Sequence, residues 1–138
     1  MAISHCLETL DGIVPNNLLC EHVMRLLNCD NAYDLVNLTL EAKPVFYASI
    51  APLIVQLATG KQEDALLLVN QAATYINKIC QRLLSDNLKH LSLIGGLTQP
   101  LLPYLDSQLQ TIIQPAKATP EQGAILYSKT KLASRVLS

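Results

Sequence analysis

Apolar positions recur every three or four residues through the first 86 positions, and this spacing predicts a run of helices. In the first helix, Ile3, Cys6, Leu7 and Leu10 are expected on one inward face. In the second, Leu19, Val23, Leu26 and Leu27 share such a face. The predicted helices of this part are Met1–Leu10, Asn17–Leu27, Ala32–Ala42, Pro44–Gly60 and Gln62–Leu84.

Local signals mark the ends of these helices. Asn16 or Asn17 is a plausible N-cap for the second helix, because a short polar side chain can accept from the free N–H groups there. Gly60 is typical of a left-handed C-terminal stop. Pro52 lies inside the fourth helix and is expected to kink it or split it.

The fifth predicted helix carries the most continuous apolar stripe. At 1.5 Å per residue it is about 35 Å long. Glu63 and Asp64 stand in its first turn, where the helix dipole favours acids. The expected inward positions are Ala65, Leu68, Ala72, Ile76, Ile79 and Leu83.

The pattern changes after this helix. Lys89–Ile94 is a predicted strand, Pro100–Leu109 a helix, Thr111–Gln114 a second strand and Gln122–Val136 a final helix. Strand, helix and strand in this order indicate a parallel unit, and two strands make an incomplete sheet. We therefore expect a single helix-rich α/β domain over 1–138, with a helical part at 1–86 and a strand–helix–strand–helix part at 87–138.

The composition excludes some functions and hints at a partner. Hydrophobic residues make up 50% of the chain and charged residues 15%, so polar groups are scarce for covering its surface. Either some apolar surface meets a partner or missing domain, or the domain has an unusually apolar core. The net charge of −1 without a basic stripe, and the absence of Trp, argue against nucleic acid as a partner.

The chain offers little catalytic or metal-binding chemistry. Its cysteines lack CxxC spacing, which favours reduced thiols in the cytoplasm over a disulfide or metal site. Its three histidines lack ligand spacing, and neither a Walker-type loop nor GxSxG is present. No apolar run is long enough to span a membrane, and the first residues lack the pattern of a secretory signal. We predict no catalytic and no metal-binding residue in this chain.

Gly95 and Gly96 are the most informative pair, because the chain has only five glycines and two of them leave the clearest predicted strand together. Ligands of open α/β sheets bind at the carboxyl ends of strands, where a missing Cβ lets a nucleotide approach the main chain. The alternative is a tight strand-to-helix turn that needs glycine for its geometry alone. For Gly123, near the start of the last helix, close packing is the simpler explanation.

The segment "LSLIGGLTQPLLPYLDSQLQTIIQPAKATPEQGAILYSK" resembles the C-terminal end of sugar kinases in the actin-like ATPase superfamily. It is most similar to the glucosamine and N-acetylglucosamine kinases of the BadF/BadG-type ATPase family. Upstream, "APLIVQLATGKQEDALLLVNQAATYI" looks like a helical pair of that family, and "ETLDGIVPNNLLCEHVM" resembles the helix after its second phosphate loop. Tyr127, Ser128 and Lys129 depart from the pattern, since small apolar residues are usual there.

The resemblance implies the C-terminal portion of an actin-like, ribonuclease H-like ATPase domain. The loop at Gly95 and Gly96 would be the adenosine motif, with Leu97, Thr98 and Gln99 as weaker contacts, and Asn16–Leu84 would cap the other side of the adenine. The implied activity is phosphoryl transfer from ATP, with Mg²⁺, to an amino sugar. Both phosphate loops, the catalytic base and the sugar contacts would belong to an absent N-terminal half, so the isolated chain is expected to be inactive. The expected partners are ATP or ADP, with neither nucleic acid nor a membrane, and a homodimer is possible.

Two alternatives stay open. The chain could be a non-catalytic helical interaction module, or a remnant of an ATPase-family protein. It could also resemble the activator ATPases of the same family, which bridge an iron–sulfur cluster between subunits through cysteines. The scattered positions of Cys6, Cys20, Cys29 and Cys80 make this second alternative the weaker one.

Overall fold

The computed structural model describes residues 1–85 and 90–136. The predicted boundary between 86 and 87 and the predicted strand start at Lys89 therefore lie outside the described residues. Five helices occupy the first part, as the apolar spacing predicted. They are α1 (Ala2–Leu10), α2 (Leu18–Leu27), α3 (Ala32–Leu40), α4 (Pro44–Thr59) and α5 (Glu63–Ser85).

The caps of these helices follow the sequence signals with one exception. Asn17 is the N-cap of α2, and its Oδ1 accepts a hydrogen bond from the Cys20 backbone N–H at 2.9 Å. The prediction of a left-handed Gly60 is wrong, because its φ is −74°. Lys61 takes the left-handed conformation instead, with φ 63°. The left-handed Lys61 lets the N–H of Gln62 reach the Leu57 carbonyl at 3.0 Å, and the Lys61 N–H donates to the Ala58 carbonyl at 2.9 Å, so that both bonds close the end of α4.

The main hydrophobic core lies among the helices α1 to α5, and the packing of α4 on α5 is the most extensive. Pro52 does not split α4, which continues from Pro44 to Thr59. Thirteen buried residues form this core: Cys6, Leu19, Cys20, Val23, Met24, Cys29, Leu35, Ile50, Ile54, Ala58, Ala65, Leu68 and Val69.

Some positions that were predicted to face inward are exposed. Leu10 and Leu26 are 39% and 48% exposed, and on α5 Ile79 and Leu83 are 44% and 39% exposed. For α5 the reason is length, because its 23 residues outrun the 16 residues of α4 that cover it. The second half of the α5 stripe is therefore apolar and only partly covered.

The predicted strand–helix–strand unit does not form as expected within the described residues. Only an isolated parallel bridge joins Leu91 to Ile113, and the Gln114 N–H donates to the Leu91 carbonyl at 2.8 Å. The direction of pairing matches the prediction. The predicted strand Thr111–Gln114 is wrong at its start, because α7 (Ser107–Ile112) runs through it.

The predicted helix Pro100–Leu109 is also wrong as one element. It is divided into α6 (Thr98–Leu101), a 3₁₀ turn at Leu102–Tyr104 and the start of α7. The break falls at Leu105, which is extended with ψ 159°. Prolines at 100 and 103 lack the N–H groups that a continuous helix would use, so these positions favour a helix start or turn.

A second, smaller core joins these segments to the end of α5. Its buried members are Cys80, Leu91 and Leu109. Four partly buried residues pack against them: Ile76, Leu84, Leu93 and Ile113. The residues Leu91–Ile94, which we call the bridge segment, are thus held against one face of α5. The glycine pair, Gly95 and Gly96, follows this segment directly.

The last helix, α8 (Pro120–Val136), stands apart from this core. Ile125, Leu126 and Leu132 are 54%, 61% and 62% exposed. A Cβ built on Gly123 would meet nothing within 4 Å, so the expected close packing at this glycine is not observed. No helix in the described ranges has both the length and the apolar character required to cross a membrane.

Candidate functional site

The two glycines of the loop differ in what they require. Gly95 has φ +135°, a conformation that side-chain-bearing residues rarely adopt, and its carbonyl accepts from the Thr98 N–H at 3.2 Å. Gly96 has no such backbone demand, and a Cβ placed on it would meet nothing within 4 Å. Turn geometry therefore explains Gly95, whereas neither backbone strain nor a close neighbour explains Gly96.

Both glycines line a cavity of about 660 Å³, which we call the glycine cavity. Its size is within the range of roughly 300–1,000 Å³ typical of small-molecule sites. The exposed part of the α5 stripe forms one side of this cavity. The bridge segment and the residues Gly95–Thr98, which we call the glycine loop, form the other side. The lining residues are Ala48, Pro52, Ile76, Ile79, Cys80, Leu83, Leu91, Ser92, Leu93, Ile94, Gly95, Gly96, Leu97, Thr98 and Leu101.

The structure brings together four of the five predicted contact residues. Gly95, Gly96, Leu97 and Thr98 all line the glycine cavity. Gln99 is exposed on α6 and is not among its lining residues. The contribution of α5 to the cavity was not predicted, because Ile79 and Leu83 belong to an apolar stripe that was expected to be buried.

The walls of the glycine cavity are almost entirely apolar. Ser92 and Thr98 supply hydroxyl groups and Cys80 a thiol, and none of the lining residues carries a carboxylate, amide, imidazole, ammonium or guanidinium group. Such walls suit a flat, weakly polar group such as an aromatic ring. They provide no side-chain charge for a phosphate and no carboxylate for a cation. In the part of the chain that the structure describes, no group of three or more His, Cys, Asp or Glu side chains could hold a metal ion.

A second cavity of about 390 Å³ adjoins the first, and we call it the α1 cavity. The start of α1, the middle of α4 and α5, and the glycine loop surround it, and Leu97 and Leu101 line both cavities. Ser4, Thr39 and Tyr47 contribute its side-chain hydroxyl groups. No pattern in the sequence indicated this cavity, because its lining residues come from separate helices.

The polar groups where α1, α2 and α5 meet form a structural network. His5 Nε2 lies 3.4 Å from Asp64 Oδ1 and 3.2 Å from Asn17 Nδ2. Asn17 Nδ2 also donates to Thr9 Oγ1 at 3.2 Å, and Thr9 Oγ1 donates to the His5 carbonyl at 2.9 Å. His5 is thus a satisfied residue that joins helices.

The four cysteines are buried free thiols. Burial raises the pKa of the Cys6 thiol to about 12, and the neighbouring Cys20 adds to the effect. Burial also raises the pKa values of the Cys20, Cys29 and Cys80 thiols. An iron–sulfur cluster that is shared between subunits needs accessible cysteine thiolates. The burial of all four thiols therefore disfavours the activator-ATPase alternative.

No protein-family model matches the chain, and no curated protein matches it in sequence. Among solved structures, it is similar to the crystal structure of an inferred N-acetylglucosamine kinase from Chromobacterium violaceum. The two share 25% sequence identity with a TM-score of 0.80. The similarity covers 91% of this chain and 43% of that protein, so this chain spans less than half of its length. The chain therefore has the fold of one part of a protein named as a kinase.

Proposed function

We propose that this chain is the nucleotide-binding lobe of an ATP-dependent amino-sugar kinase that acts on glucosamine or N-acetylglucosamine. The observation that carries the proposal is the structural similarity to the Chromobacterium violaceum protein over 91% of the chain. The finer assignment is to the C-terminal portion of an actin-like ATPase domain of the BadF/BadG type. This finer assignment rests on the sequence resemblance.

The glycine loop is the proposed contact with the nucleotide. Gly96 lacks a side chain without any backbone or packing reason, and it opens onto the apolar glycine cavity. A base and ribose that lie against the main chain would supply the missing reason. Gly95, Leu97 and Thr98 line the same space, whereas Gln99 lies outside the lining and is not part of the proposed contact.

The lobe would contribute binding and positioning to phosphoryl transfer, and the rest of the machinery would lie elsewhere. Phosphoryl transfer requires charge neutralisation at the phosphates, with Mg²⁺, and a base for the acceptor hydroxyl. The lining residues of both cavities include no carboxylate and no basic side chain. We therefore expect no turnover by this chain alone in a coupled assay with ATP and glucosamine. The complete enzyme would work in the cytoplasm.

Thermal unfolding with ATP tests the proposal. A ligand present at 100 times its dissociation constant stabilises the folded state by about 2.7 kcal/mol. We expect ATP to raise the midpoint, and Gly96→Val to remove the effect because its side chain would enter the cavity. Gly123→Val is the matched control, since its new side chain also meets open space but lies on α8.

Three outcomes separate the possibilities. Stabilisation that is lost in Gly96→Val and kept in Gly123→Val supports the proposal. Stabilisation that survives Gly96→Val shows that the nucleotide binds elsewhere. No stabilisation at ATP concentrations up to about 10 mM, well above the weak-binding range, contradicts nucleotide binding by this chain.

A non-catalytic interaction module is the second candidate, and α8 is the observation that favours it. Its exposed Ile125, Leu126 and Leu132 have no cover among the described residues. If the chain acts through this helix, light scattering should show a homodimer that Leu132→Lys dissociates, and ATP should have no effect on stability. A monomer that ATP stabilises would exclude this candidate.

A further inference from the structure

We infer that the nucleotide site of this chain does not discriminate among the four nucleobases. ATP, GTP, CTP and UTP should bind with dissociation constants that agree within about tenfold. The inference rests on the proposed function and concerns the same glycine cavity. It follows from the side chains that line the cavity, which are mostly aliphatic and include no amide, carboxylate or guanidinium group.

Discrimination between bases requires fixed polar groups. The bases differ chiefly in the pattern of hydrogen-bond donors and acceptors along their edges, and proteins read that pattern with amide, carboxylate or guanidinium side chains. None of these groups occurs among the lining residues of the glycine cavity or of the adjoining α1 cavity. Neither cavity therefore offers an amide, carboxylate or guanidinium side chain that would favour one edge over another.

The polar side chains that do face the glycine cavity are tolerant. Ser92 and Thr98 each present a hydroxyl group, which can donate or accept because it rotates. Within the described residues neither the Ser92 nor the Thr98 hydroxyl has a hydrogen-bond partner that would fix its direction. The Gly95 carbonyl already accepts from the Thr98 N–H, so it is partly committed to the turn.

The remaining side-chain contacts are apolar and do not depend on the base. Ile76, Ile79, Leu83 and Leu93 present aliphatic surface on which any aromatic ring can lie. The volume of about 660 Å³ also accommodates a purine or a pyrimidine. A site that hydrogen-bonds its ligand rejects the wrong one by about 10⁴-fold or more, whereas an apolar pocket separates similar ligands by about 10²-fold at most.

Titration of the ¹⁵N-labelled protein with each nucleotide tests the inference. The amide shifts yield a dissociation constant for ATP, GTP, CTP and UTP under the same Mg²⁺ and salt conditions. Inorganic tripolyphosphate is the control, because it carries the charge of the nucleotide without its base. We expect four constants within about tenfold and little effect of tripolyphosphate on the glycine loop.

The outcomes distinguish this inference from the proposed function. If ATP binds more than about 100-fold tighter than the other three, the inference is wrong and the proposed function stands. If none of the four nucleotides shifts the loop amides, the proposed function fails as well.

Substitution of the hydroxyl groups gives an independent test. Thr98→Val keeps the side-chain shape and removes the hydroxyl, and Ser92→Ala does the same at the other position. Each variant should change all four constants by the same factor, within about threefold. A loss confined to one nucleotide would show that the hydroxyl reads the base. If one variant fails to fold, as judged by its amide spectrum, the other still decides the question.

Discussion

Asn77 and Asp106 exchange two hydrogen bonds across the structure. Asn77 Nδ2 donates to Asp106 Oδ1 at 2.8 Å, and the Asp106 backbone N–H donates to Asn77 Oδ1 at 3.2 Å. Gln81 Nε2 adds a third bond, to Asp106 Oδ2 at 3.2 Å. These bonds fix the residue that precedes α7 to the side of α5, and so position the segment that follows the glycine loop.

Removal of this link should loosen the segment after the glycine loop. We expect Asn77→Ala to lower the free energy of unfolding by about 1 kcal/mol, because these hydrogen bonds are largely solvent-exposed. Asn70→Ala is the matched control on an exposed position of α5 and should change it by less than about 0.5 kcal/mol. Urea unfolding of both variants measures the difference, and equal effects would refute the structural role of Asn77.

The two glycines of the loop should respond differently to alanine. Gly95→Ala forces a side chain into φ +135° and should cost about 1–3 kcal/mol. Gly96→Ala should leave stability within about 0.5 kcal/mol, because its Cβ would meet open space. Comparison of their urea midpoints checks this; a large loss for Gly96→Ala would mean that packing, and not a ligand, requires that glycine.

The cysteines should be inert in the folded protein. Burial disfavours the thiolate at all four positions, so a thiol reagent at pH 8 should react slowly until the protein unfolds. In guanidinium chloride all four should react at once. Rapid labelling of one thiol under native conditions would identify an exposed site that contradicts the packing.

The raised pKa of Cys6 also predicts a loss of stability at alkaline pH. An unfolded thiol ionises near pH 9.0, while the folded Cys6 holds its proton up to about 12. Between these values the unfolded state binds fewer protons, so the free energy of unfolding falls as pH rises, and below pH 9 this contribution is constant. Cys6→Ala should show a shallower fall over this window, after subtraction of its lower stability at pH 7. Parallel curves would contradict the assigned cause.

Two leucines of α2 test the position of the core. Leu19 is 0% exposed and Leu26 is 48% exposed, although the spacing predicted both to face inward. Leu19→Ala should cost about 2–5 kcal/mol in unfolding free energy, the range for a buried leucine. Leu26→Ala should cost less than about 1 kcal/mol, since it leaves little cavity. Similar losses at both positions would place α2 in a different rotation.

The first five helices could be predicted from the sequence because their signals are local. Apolar spacing located each helix to within a few residues, and of the two proposed caps, Asn16 and Asn17, the structure has Asn17. The glycine loop was also identified in advance, because a glycine pair after an apolar run is visible without a structure. Whether a nucleotide lies against it stays a prediction.

The C-terminal elements could not be predicted because they depend on distant contacts. Thr111 and Ile112 belong to α7, and the residue before α7, Asp106, is held to α5 by two bonds with Asn77 that local spacing does not reveal. The exposure of Ile79 and Leu83 likewise depends on where α4 ends, which periodicity along α5 does not reveal. The glycine cavity arises from both of these distant relationships.

Selective ¹⁵N-glycine labelling tests the central claim most directly. The five glycines give five amide signals, and two of them report on the loop. If a nucleotide lies against the main chain there, ATP should shift the Gly95 and Gly96 signals and leave those of Gly12, Gly60 and Gly123 in place. Shifts confined to the other three glycines, or no shifts up to about 10 mM ATP, would contradict the account.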